Sequence, residues 1–173
     1  MSAPHPLLAQ LARRGLLRRT PDPDEAGLPA AGEPAEGVLL RLCQAGLLEG
    51  GLSVALDVRP DELFGPLVAQ MGGPLRAVRL LDVRERPVLE LEVAWAGRSE
   101  RWEVEGLEGL VHNLNSLLAE AGSRQGRPAA VLGEWQDALQ VWCVPQTELP
   151  WLLRAGLGGA RNAAALQEQV ERG

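Results

Sequence analysis

Lysine, isoleucine and tyrosine are absent from this 173-residue chain, and phenylalanine occurs once, as Phe64. The missing lysine removes two chemistries: no side chain can form a Schiff base, and no Walker-type loop can be built, because its lysine reaches the phosphates. All 17 basic residues are therefore arginine. The scarce amino acids are those with A/T-rich codons; beside abundant Ala, Gly, Pro and Arg, their scarcity points to a GC-rich bacterial genome and says nothing of function.

Cysteine and histidine are each present twice, as Cys43 and Cys143 and as His5 and His112, all far apart in the chain. Zinc sites need three or four such ligands at close spacing, so no metal or other cofactor is expected, and both cysteines read as buried free thiols. Long apolar runs are also lacking; none approaches the roughly 20 residues that cross a bilayer. Residues 1–20 place four arginines after their apolar residues, the reverse of a secretory signal, so a cytoplasmic protein with no membrane partner is expected.

What is present suits one domain with a real core: 46% apolar residues and mixed charge. The reading is α+β: an antiparallel sheet of about five strands covered by helices, preceded by an N-terminal helical arm. The arm is residues 1–49, with a Pro/Gly/acidic linker at 20–37; the core domain is 50–158, and 159–173 form a short helical tail. Within the arm, helices near 6–17 and 35–45 align at an offset of 31, pairing Leu8 with Leu39, Leu11 with Leu42, Gly15 with Gly46, Leu16 with Leu47 and Leu17 with Leu48. Each is a helix stopped by a glycine with a leucine behind it.

In the core, 52–58 is a short strand and 60–71 a helix. Strands at 76–83 and 88–95 precede a reversal at Arg98-Ser99, which sets Trp95 opposite Trp102 and Val93 opposite Val104. An amphipathic helix follows over 107–121 with Gly122 as its stop. Two strands come next, 129–135 and 138–144. The second is apolar on both faces and belongs inside a sheet. Thr147 then caps a short helix to Arg154, and Asn162 caps a last one carrying Leu166 and Val170.

Four surfaces emerge as contact sites. The hairpin register gathers Glu90, Glu92, Glu103 and Glu105, with Arg101 nearby and Glu92 across from Glu105, into an acidic patch for a basic protein partner or, as the second reading, a divalent ion. His112 and Asn115 lie on the exposed side of helix 107–121, and Trp135 at a hairpin tip is the kind of anchor that interfaces favour. Arg13, Arg14, Arg18 and Arg19 give residues 1–20 a charge of +4, which against −6 for the whole chain leaves −10 on the rest. A basic arm on an acidic body is a device for touching nucleic acid, although four arginines alone bind phosphates weakly at physiological salt. Glu108, His112 and Ser116 share one stripe, but a straight solvent-facing stripe has no preorganised turn or oxyanion hole. No catalytic set is expected. The leading reading is a non-enzymatic protein-binding or regulatory module, with a protein partner or self-association; a nucleic-acid-associated protein is the alternative and a small enzyme without a local motif the third.

Overall fold

In the computed structural model, which describes residues 3–22, 25, 27–122, 124–157 and 159–172, the chain is α+β. Its elements run α1 (Pro6–Arg13), α2 (Ala35–Gln44), β1 (Gly51–Ala55), α3 (Pro60–Met71), β2 (Arg79–Arg84), β3 (Glu90–Trp95), β4 (Arg98–Glu103), α4 (Gly106–Ala121), β5 (Ala129–Trp135), β6 (Ala138–Cys143), α5 (Leu149–Arg154) and α6 (Gly159–Arg172). The strands form two antiparallel sheets of three, β1-β6-β5 and β2-β3-β4, which corrects the single sheet of about five. The division arises because β1 takes one side of β6 while β5 takes the other, leaving no free edge of β6 for the meander.

β6 is central in its sheet, as its two-faced apolar sequence requires, and all six of its residues are buried. Leu139, Val141 and Cys143 join one core with Leu91, Val93 and the apolar sides of α3 and α4. Trp142, on the other face, joins a second core with Leu11, Leu39, Leu42 and Leu152 from α1, α2 and α5. Its ring is fully buried, and its indole N–H donates to the Glu49 carbonyl at 3.0 Å, which satisfies the polar end of an otherwise apolar group. Sheet and helices thus form three layers around two cores.

The second core explains the recurrent helix–glycine–leucine pattern. Gly15 and Gly46 both adopt positive φ (70° and 75°), and Leu16 and Leu47 each fold back to donate to the fifth residue before them, Leu11 and Leu42. The two ends then exchange backbone bonds, Arg18 N–H to Leu47 at 2.8 Å and Glu49 N–H to Leu16 at 2.9 Å. A third copy closes α5, where Gly156 (φ 68°) precedes Leu157, bonded to Leu152. Leu16, Leu47 and Leu157 are all buried in the same core. These repeats are one way of ending a helix on an apolar surface, used three times.

The hairpin β3–β4 turns at Ala96-Gly97, whose φ values of 52° and 77° are those of a two-residue reversal in which both central residues are left-handed. The reversal expected at Arg98-Ser99 is therefore corrected. Trp95 faces Arg98, Leu91 faces Trp102 and Glu92 faces Arg101. The slip is by an even number of residues, so the division into an apolar and a charged face survives.

The outer edge of β5 is closed by two asparagines. Asn115 of α4 donates to the Ala129 carbonyl at 2.8 Å and accepts its N–H at 2.9 Å. Asn162 does the same for Val131, at 2.6 and 3.2 Å. Each side-chain amide takes the place of a neighbouring strand's peptide group. Asn162 consequently lies inside α6, which starts three residues earlier, and is no N-cap. Gln169 of α6 extends the arrangement by donating to the Asn115 carbonyl at 2.7 Å.

Candidate contact surfaces

The four arginines of the N-terminal segment are exposed, and three of them bond to the body of the protein. Arg14 pairs with Glu148 at 2.7 Å and stacks over the Trp151 ring, 4.3 Å from its centroid. Arg18 donates to the Gly51 carbonyl at 3.0 Å, at the start of edge strand β1. Arg19 forms a forked pair with Glu25, which raises the guanidinium's pKa and lowers that of the carboxyl, chiefly through the side-chain hydrogen bond. Arg13 sits in the last turn of α1, where its charge complements the helix dipole. Exposed pairs of this kind stabilise little, but they point the guanidiniums at several different partners rather than along one phosphate track.

The charged face of β2-β3-β4 is mixed rather than acidic. Reading across the strands, Asp82, Glu92 and Arg101 form one row and Arg84, Glu90 and Glu103 the next, with Arg79 beyond them. Three guanidiniums therefore interleave with four carboxylates, and the expected opposition of Glu92 and Glu105 is replaced by Glu92 and Arg101. Glu90 and Glu103 remain directly opposed. Glu105 leaves the patch altogether: it is the residue preceding α4, past the end of β4.

On α4, Glu108, His112, Ser116 and Glu120 are exposed along one side, and Ser116 Oγ donates back to the His112 carbonyl at 3.0 Å, an arrangement within the helix that activates nothing. Asn115 is not on that side. It is 5% exposed and occupied by Ala129, so it is withdrawn from the contact surface expected of it. Trp135 is half-buried beside the turn Gln136-Asp137, on the face of β5–β6 that also carries Gln140.

A different grouping appears at the end of the β1-β6-β5 sheet. Leu56, just past β1, is 47% exposed and stands over a shallow hollow with Leu107 of α4 and Leu139 of β6. Glu105, Glu108 and Glu134 rim it, all three exposed. Its positions come from three separated parts of the chain, residue 56, residues 105–108 and the hairpin carrying Glu134 and Leu139, so no local motif announces it; the one hint is Leu56 continuing past a strand that ends at Ala55. Among the described residues no arginine lines this hollow, in contrast with the mixed face of β2-β3-β4.

Both cysteines are buried free thiols; burial pushes Cys43 up to about 11 and Cys143 up to about 12, which suits packing and not nucleophilic or ligand chemistry. Among the described residues no cluster of three or more His, Cys, Asp or Glu is arranged to hold a metal ion, and no helix is long and apolar enough to cross a membrane. Comparison with protein-family models, with curated proteins and with solved structures finds no match for this chain.

Proposed function

We propose that the protein is a non-enzymatic protein-binding module whose contact surface is the hollow around Leu56, and that its partner presents an apolar side chain flanked by basic residues. The observation that carries this reading is the coincidence of a large exposed leucine with a lining whose charged side chains, among the described residues, are all carboxylates. Covering Leu56 and inserting a partner's apolar side chain supplies on the order of 1.5–3 kcal/mol per fully buried side chain. The rim contributes selection: Glu105, Glu108 and Glu134 attract basic segments, repel acidic ones and speed encounter at low salt.

The nucleic-acid reading is weaker, because Arg14, Arg18 and Arg19 would have to leave Glu148, Gly51 and Glu25 to engage phosphates. The test is fluorescence anisotropy with a labelled peptide of alternating arginine and leucine, and with its counterpart carrying glutamate for arginine. The expected result is binding of the basic peptide that weakens with salt and is lost in Leu56→Ser and in Glu105→Gln/Glu134→Gln. Equal binding by these variants overturns the reading.

A further inference from the structure

A second contact is written into the edge of the other sheet, independently of the hollow. β4 is bounded by β3 on one side, and among the described residues no strand pairs with its other side. Its even-numbered residues face β3 through their backbone groups: Trp95 and Arg98 flank the two-residue turn and so form a hydrogen-bonded pair, and Val104 N–H donates to Leu89 at 2.9 Å in the same phase. The N–H and C=O groups of Ser99, Arg101 and Glu103 therefore point outward, along a strand whose outward-facing residues are exposed.

We propose that the occupant of this edge is a second copy of the same strand, paired antiparallel about a twofold axis at Trp102, so that two three-stranded sheets become one of six. The charge sequence Arg98-Ser99-Glu100-Arg101-Trp102-Glu103 selects both the occupant and the register. A twofold axis perpendicular to the sheet opposes only residues of the same face. Centring the pair on Arg101 opposes that arginine to its own copy, and centring it on Glu100 or Glu103 opposes two glutamates; each is unfavourable. Centring it on Ser99 opposes Arg98 to the other copy's Glu100, but Arg98 already pairs with Glu100 of its own strand and the ladder runs at once into the Ala96-Gly97 turn, so less of the strand can pair. Centring it on Trp102 opposes Arg101 to the other copy's Glu103 twice over, and sets the two Trp102 side chains side by side. In this register Arg101 and Glu103 of each copy exchange backbone bonds with Glu103 and Arg101 of the other.

Sedimentation equilibrium of the full chain over a wide concentration range tests this with a charge-reversal cycle. Wild type is expected to approach twice the monomer mass, while Arg101→Glu and Glu103→Arg each weaken dimerisation roughly tenfold or more, because each creates two like-charge oppositions. The double variant Arg101→Glu/Glu103→Arg restores the pairing. Both sites are exposed; Glu103→Arg relieves the opposition with Glu90 while Arg101→Glu creates one with Glu92, so circular dichroism and a urea melt of each variant separate a loss of pairing from a loss of fold. A monomeric wild type, a dimer indifferent to the single reversals, or a double variant that stays as weak as the singles overturns the proposal.

Discussion

Gly73 and Gly126 meet backbone to backbone: a β-carbon built on Gly73 would lie 2.5 Å from the Gly126 nitrogen and 2.7 Å from its α-carbon. Gly73 opens the 3-10 turn after α3 and holds φ at 57°, so a side chain there is opposed by conformation as well as by space. Beside this contact, Arg127 N–H donates to Met71 at 2.7 Å and its guanidinium pairs with Glu49 at 2.6 Å, fastening the loop before β5 to the end of α3 and to the segment that leads into β1. Gly73→Ala is expected to lower the free energy of unfolding by roughly 2–4 kcal/mol, combining left-handed strain with a backbone clash. Gly126→Ala should cost less, since its β-carbon would meet the flexible end of Leu118. Urea denaturation of both variants checks the order, and equal stability of Gly73→Ala and wild type contradicts the close approach.

The paired amides on β5 predict a localised failure. Asn115→Ala leaves a buried N–H and a buried carbonyl of Ala129 without their partners, which costs roughly 1–3 kcal/mol for each unsatisfied group. Hydrogen exchange of the Ala129 amide should accelerate well beyond the change at Leu139 in β6. Uniform acceleration along both strands would contradict a specific seal on the β5 edge.

Thiol reactivity offers a third check. Native protein at pH 8 is expected to react negligibly with a disulfide reagent, releasing two equivalents of thiolate only on unfolding, because burial holds Cys43 and Cys143 in the protonated form. The sign of the linked stability effect follows. In the unfolded chain the thiols ionise near pH 8.5, so above about that value the unfolded state binds fewer protons than the native state. Stability that is fully present at neutral pH is therefore lost progressively as pH climbs from about 9 towards 11 and 12, the values of the two folded thiols. Serine at both positions should flatten this alkaline slope; an unchanged slope would contradict the assignment.

Much of the scaffold is legible in the sequence because periodicity reports burial directly. The span of α3 and the central place of β6 follow from the spacing of Leu63, Phe64, Leu67 and Val68 and from the two-faced apolar run at 138–144. Turn position is less legible. Ala96-Gly97 lacks the Asn-Gly or Asp-Gly signature of a two-residue reversal, so the turn lies two residues earlier than expected and each cross-strand partner shifts by four while the faces persist. Asn115 is misplaced for another reason: it sits between Val111 and Leu118 on the buried stripe of α4, where a polar residue is tolerated only because Ala129 supplies both of its partners. The two sheets and the hollow at Leu56 depend on contacts between distant segments, which no local pattern carries.

The measurement that bears most directly on the account is a two-dimensional amide spectrum of the isotopically labelled protein titrated with the arginine–leucine peptide. Shifts are expected to concentrate at Leu56, Glu105, Leu107, Glu108, Glu134 and Leu139 and to be abolished by Leu56→Ser. Shifts centred instead on the Asp82, Glu92 and Arg101 row, or no saturable shifts at any peptide concentration, would contradict the hollow as the contact surface.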